Sequence, residues 1–180
     1  MFPLAAVTRS SYVESIHFGY ICVMDSSGKV IYSLGEENTS IYFRSSAKPI
    51  QALPLIRSGA ASALGLSKKE IALVCASHSG QEMHQKTTME ILDKLELQQS
   101  HLHCGVMQPY NEEENNKLKA EKQHPTVLHC SCSGKHAGML TLAKFRGYRI
   151  EDYDDKEHPV QKEILQTIAD FTDTEVDAIP

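Results

Sequence analysis

Strand-like and helix-like apolar patterns alternate along the chain. F-G-Y-I-C-V-M at 18–24 is an apolar run rich in strand formers. D-S-S-G at 25–28 is a turn signal and K-V-I-Y-S-L follows, so the pattern predicts a β-hairpin. A strand-like I-Y-F at 41–43 leads into R-S-S-A-K-P at 44–49. Beyond it, I-Q-A-L-P-L-I-R-S-G at 50–59 has the apolar spacing of a buried helix ending at Gly59. Pro49 disfavours the α region at Lys48, and Pro54 kinks or ends a helix. The prediction is therefore a tight turn feeding a helix that starts at Pro49.

S-K-K-E at 67–70 fits a capping box. I-A-L-V-C-A-S at 71–77 reads as a buried strand that breaks off at S-H-S-G. Residues 81–95 place Met89, Ile91, Leu92 and Leu95 at helical spacings. Segment 109–123 reads as a solvated helix or a turn-rich excursion. T-V-L-H-C-S-C-S-G-K-H-A-G at 126–138 runs from a strand-like start into a glycine turn. A helix from about His136 to Phe145 follows, ending near Gly147. Residues 150–158 are acidic and loop-like, and Pro159 opens an amphipathic helix to about Phe171. The expected fold class is α+β, or mixed α/β, in a single domain over residues 1–180.

Composition narrows the function classes. With 41% hydrophobic and 23% charged residues the chain is an ordinary globular one. A net charge of −5 implies neither a nucleic-acid footprint nor a polybasic membrane patch. No apolar run approaches the roughly 18 residues that a membrane helix needs. The first ten residues lack a basic region followed by a long apolar one, so no signal peptide is read. Five cysteines, Cys22, Cys75, Cys104, Cys130 and Cys132, are an odd number that favours reduced thiols and a cytoplasmic setting.

Three motifs could carry chemistry. In R-S-S-A-K-P, Ser45 and Lys48 form S-x-x-K, which puts both side chains on one face of a helical turn. A lysine beside a hydroxyl can take its proton when burial or a nearby cation lowers the amine pKa. C-A-S-H-S-G at 75–80 offers Ser77, His78 and Ser79 on a small-residue turn able to supply backbone N–H donors. H-C-S-C-S-G-K-H-A-G at 129–138 puts Cys130, Cys132 and His136 within reach of one metal. Its spacing is not that of a zinc finger, and the glycine turn before a helix could instead hold an anion.

Taken together, these motifs resemble the thermolabile or inducible bacterial L-asparaginases of the Rhizobium etli type, often labelled asparaginase II. The matching blocks are V-E-S-I-H-F-G (13–19), R-S-S-A-K-P-I-Q-A-L-P (44–54), C-A-S-H-S-G (75–80), H-C-G-V-M-Q-P (103–109) and C-S-G-K-H-A-G-M-L (132–140). The resemblance implies hydrolysis of L-asparagine to L-aspartate and ammonia, and a fold like that of serine β-lactamases and penicillin-binding proteins. It implies Ser45 as nucleophile, Lys48 as its base and Ser77 as a second active-site serine. Cys132 and Lys135 match a pair that holds zinc near the site, and no organic cofactor is expected. Arg44, His78 and His136, each inside a matching block, are the candidate substrate contacts. A homodimer is implied as well.

Gln81 departs from the acidic residue that commonly follows C-A-S-H-S-G in the family. Family chains are longer, so the sequence is expected to be the N-terminal portion of such an enzyme, with further active-site groups in a later half. Two other readings stay open. One is a glutaminase, a small amidase or a β-lactam-reactive enzyme of the same fold. The other is a non-catalytic fragment serving in assembly or metal binding.

Overall fold

Two hairpins open the chain. β1 (Phe2–Arg9) pairs antiparallel with β2 (Tyr12–Gly19), from Phe2 opposite Gly19 to Arg9 opposite Tyr12. The register shifts between Pro3 and Ala5, because proline cannot donate to the ladder, and again between Val7 and Thr8. β3 (Ile21–Met24) pairs antiparallel with β4 (Val30–Leu34) in a separate two-stranded sheet. Asp25 closes this second hairpin: its Oδ1 accepts the N–H groups of Ser27 (2.8 Å) and Lys29 (3.0 Å). The turn that D-S-S-G predicts is therefore present, but the first hairpin was not read from the sequence. The expected strand at 41–43 is absent; Ile41 and Tyr42 are exposed and have no strand partner.

The computed structural model describes residues 1–179 and separates into two units, Met1–Tyr42 and Phe43–Pro180. The second is helical. A 3₁₀ turn at Arg44–Ala47 leads to α1 (Lys48–Gln51), α2 (Leu53–Arg57) and α3 (Ala60–Ala63). Pro49 and Pro54 each sit at the start of a helix, where a missing N–H is tolerated, so the expected single helix is two short ones broken at Ala52. Then come α4 (Lys68–Val74), α5 (Glu82–Lys94), α6 (Glu112–Ala120), α7 (Ser133–Arg146) and α8 (Pro159–Thr172). No helix among the described residues is long and apolar enough to cross a membrane.

Two strand expectations are corrected. Residues 68–74 are helix because the capping box commits them: Ser67 Oγ accepts the Glu70 N–H (3.3 Å) and Glu70 Oε2 accepts the Ser67 N–H (2.6 Å). Leu73 and Val74 face the core while Ala72 is exposed, a helical distribution. The stretch after Thr126 is a 3₁₀ turn, Val127–His129, in which Thr126 Oγ1 accepts the Leu128 N–H and His129 Nδ1 accepts the Thr126 N–H.

α7 is the hub. Ala137, Leu140 and Ala143 are fully buried, and α7 meets α3, α4, α5 and α8. Ile91 and Leu92 of α5, Leu95 just past its end, Tyr153, and Val160 and Ile164 of α8 complete the core. α4 approaches α7 over two glycines. A Cβ on Gly134 would meet Leu73 O at 2.7 Å, and one on Gly138 would meet Val74 Cγ1 at 2.5 Å. The first clash is with main chain and cannot be relieved by a rotamer change. Gly134→Ala is therefore expected to destabilise the protein by about 1–3 kcal/mol through overpacking. Urea unfolding checks this; an unchanged midpoint would show that α4 and α7 do not meet this closely.

Candidate active site

The turn at Arg44–Ala47 exposes Arg44, Ser45 and Ser46, buries Ala47 and turns Lys48 inward. Arg44 has φ 51° and is exposed, Ser45 is exposed, and Ser46 Oγ donates to Phe43 O (2.5 Å). Lys48, the first residue of α1, is only 3% exposed. A buried ammonium or amine must find acceptors. Lys48 Nζ lies 2.8 Å from Ala76 O, 3.2 Å from Ser131 O and 2.7 Å from Ser77 Oγ. The two carbonyls can only accept, so they take two N–H bonds. The third tetrahedral position faces the Ser77 hydroxyl. In a neutral amine that position is the lone pair, and the Ser77 O–H would donate to it.

Ser77 follows α4 on the irregular 75–80 turn and is exposed, so the hydroxyl that Lys48 holds from beneath is open on its outer side. The bond between Ser45 and Lys48 is a main-chain one, Lys48 N–H to Ser45 O, and no side-chain hydrogen bond joins them among the described residues; the nearest polar partner of the amine comes from 29 positions further along the chain. Arg44 forms no ion pair among the described residues, and Ser79 Oγ donates to Gln81 Oε1 (3.2 Å). The structure thus brings Lys48 and Ser77 together and leaves Ser45 and Arg44 on the outer face of the preceding turn.

His78 is buried and both ring nitrogens are engaged within the protein. Nδ1 accepts the Gly80 N–H (3.2 Å), which places the proton on Nε2, and Nε2 donates to Ser133 Oγ (2.9 Å). Neither nitrogen is free for the substrate contact expected of it. Burial, then the neighbouring His84 and Lys48, depress its pKa to about 4. His84 stacks on the His78 ring with centroids 5.0 Å apart.

Cys132 caps α7 and Lys135 stands in its first turn. Burial pushes the Lys135 amine below its usual pKa; the Cys132 sulfur opposes this shift and the Lys48 charge adds to it. That direction suits a lysine offering its lone pair. A zinc ion takes three or four protein ligands. Among the described residues no three His, Cys, Asp or Glu side chains are grouped to hold a metal, so Cys132 and Lys135 alone do not make a site. The Cys104 thiol is pushed up to about 12 by burial and by Cys130 and Cys132, the state of a protonated thiol. All five cysteines are free.

His136 is half-buried beside Lys135. Tyr153, fully buried, accepts the His103 N–H (2.8 Å) and donates its O–H to His136 Nδ1 (2.7 Å). His136 is thereby fixed with its remaining proton on Nε2, and burial followed by the Lys135 charge lowers its pKa to about 4. His103 Nδ1 in turn bonds Asp154 Oδ1 (2.7 Å). Sequence reasoning missed Ser133, Tyr153 and Asp154. Ser133 alone lay inside a quoted motif; Tyr153 and Asp154 lie in a stretch whose composition signals only a loop.

His78 and His136 are neutral in the folded protein down to about pH 4, whereas unfolded histidine protonates near 6.5. Above that value neither favours either state. Between 6.5 and 4 the unfolded chain takes up protons that the folded one refuses, so stability falls as pH falls. For the deeply buried His78 the loss approaches about 3 kcal/mol. Urea unfolding of the wild type and of His78→Gln from pH 7 to 4.5 checks this. The gap between them should narrow on acidification; a constant gap would show that His78 titrates normally.

A family model described as L-asparaginase II matches residues 5–180, essentially the whole chain. No individual curated protein matches it. On the family match, the chain belongs to the L-asparaginase II family.

Proposed function

We propose that this member of the L-asparaginase II family hydrolyses L-asparagine to L-aspartate and ammonia, with Lys48 activating Ser77. The family supports the substrate class. The mechanism rests on one observation: a buried amine whose two N–H bonds go to carbonyls and whose third position faces an exposed serine hydroxyl at 2.7 Å.

The neutral Lys48 amine takes the Ser77 Oγ proton as that oxygen attacks the side-chain amide carbon. The carbonyl oxygen becomes an oxyanion. The Ser77 N–H, which has no protein acceptor among the described residues, is a donor for it. The Lys48 ammonium then gives its proton to the amide nitrogen, the C–N bond breaks, and ammonia leaves an aspartyl ester on Ser77. Water, deprotonated by Lys48, attacks the ester. The ester C–O bond breaks, the proton returns to Ser77, and aspartate departs. No step runs through a metal.

The S-x-x-K spacing also supports a serine β-lactamase-like arrangement and keeps Ser45 as the competing nucleophile. A homodimer is part of the same proposal, drawn from the family resemblance. A glutaminase would use the same lysine and serine, so substrate choice is read by assay.

Ammonia release from asparagine and from glutamine, measured on the wild type, Lys48→Met, Ser77→Ala and Ser45→Ala, tests the reading. Asparagine is the expected preferred substrate. Loss of the base should lower turnover about 100- to 10,000-fold. Ser77→Ala should lose the covalent adduct formed with an asparagine-derived electrophile, and Ser45→Ala should keep it. An adduct mapped to Ser45 would transfer the nucleophile's role there, and release from glutamine alone would replace the substrate.

A further inference from the structure

The Lys48–Ser77 bond is only as well placed as the turn that carries Ser77. Residues 75–80 contain no regular secondary structure, yet the bond requires the hydroxyl to sit within a few tenths of an ångström of its place. The Asn111 N–H on Ser79 O (3.0 Å) and Gln85 Nε2 on Gly80 O (2.9 Å) hold the far end of the turn, and two attachments beside Ser77 go to residues 131–133. The His78 N–H donates to Ser131 O (3.2 Å), the carbonyl that also accepts from Lys48 Nζ. The His78 ring donates to Ser133 Oγ (2.9 Å).

The second attachment continues inward. Ser133 and Thr88 are both fully buried, and their hydroxyl oxygens lie 3.1 Å apart. Thr88 Oγ1 also reaches His84 O (3.0 Å), a carbonyl four residues back in α5. A hydroxyl has one proton to give. The His84 carbonyl can only accept, so it takes the Thr88 proton. Thr88 Oγ1 then accepts from Ser133, and Ser133 Oγ accepts from His78 Nε2. In this arrangement each of His78, Ser133 and Thr88 gives one proton and receives one, and its ends are the Gly80 N–H at His78 Nδ1 and the carbonyl at His84. Leu128 O, 3.3 Å from Ser133 Oγ, is the alternative acceptor for the same Ser133 proton. A chain of buried polar groups that is fully satisfied is rigid, because each break strands a donor or an acceptor in a dry interior.

We propose that Thr88 and Ser133 are positioning residues whose hydroxyls, in series with His78, hold Ser77 against Lys48. The inference rests on reading Lys48 and Ser77 as the catalytic pair. Neither hydroxyl touches the substrate. They act by fixing the His78 ring, and through the adjacent peptide the serine before it. A threonine and a serine at these two core positions, where valine and alanine would fill the same volume, are then explained by the turn they anchor.

The test compares Thr88→Val, which keeps the shape and removes the hydroxyl, with Thr88→Ser, which keeps the hydroxyl and removes a methyl. Ser133→Ala is the third variant. Side-chain NMR reads the Lys48 ¹⁵Nζ and Ser77 ¹³Cβ resonances, a fluorophosphonate probe reads the rate of Ser77 modification, and thermal melting reads stability. Thr88→Val and Ser133→Ala should shift both resonances and slow modification by about tenfold to 100-fold. Thr88→Ser should restore both, whatever its melting temperature. Equal effects of Thr88→Val and Thr88→Ser, or effects that track melting temperature alone, would overturn the proposal. If the wild type is not modified at Ser77, the catalytic reading falls. The NMR comparison still decides whether the hydroxyls place the serine.

Discussion

A lysine amine with almost no contact with water is the constraint around which the helical unit is arranged. Lys48 is 3% exposed, and an amine so placed is tolerable only where acceptors surround it. Its acceptors come from the end of α4 and from the approach to α7, two segments more than fifty residues apart in the chain. The folded state must bring both to the start of α1. Once it has done so, one side of the amine is left facing a serine at the surface. The burial that makes the arrangement demanding leaves the exposed Ser77 hydroxyl as the outward-facing partner of the amine.

The close approach of α4 to α7 meets that demand. Gly134 and Gly138 let the two helices lie nearer than any side chain would permit, and the turn after α4 then falls beside the turn before α7. Ser77 and Ser131 are neighbours for that reason. The polar chain from His78 to Thr88 ties the same two turns to α5. Packing sets the approach and hydrogen bonds set the final placement, a division that follows from the non-directional character of burial and the directional character of hydrogen bonding.

Much of the helical architecture was legible because its punctuation is chemical. Ser67 and Glu70 announce α4, Pro159 announces α8, and Gly147 at φ 70° stops α7 where the sequence placed the stop. What misled was apolarity without periodicity. I-A-L-V-C-A-S suits a buried strand as well as a buried helix, and the capping box directly before it decides for helix. The first hairpin was overlooked because the apolar residues of V-E-S-I-H-F, at 13, 16 and 18, do not alternate strictly, and Pro3 and two register shifts interrupt the pairing. The quoted motifs contain Lys48, Ser77, His78 and Ser133, which hydrogen bonds join around the 75–80 turn. Spacing suggested Ser45 as the lysine's partner, since nothing in a local pattern discloses a bond to residue 77. Thr88 was hidden for a related reason: a threonine on the apolar face of a helix reads as core.

The two groups that anchor Lys48 besides Ser77 are main-chain carbonyls, of Ala76 and of Ser131. A carbonyl belongs to every residue type. The side chains at 76 and 131 can therefore drift without removing either acceptor, while a change in the path of the backbone there would remove both. The lysine's place is inherited through the course of the chain and not through the identity of the residues that hold it. Members of such a lineage could share the anchor and show no common letter at either position.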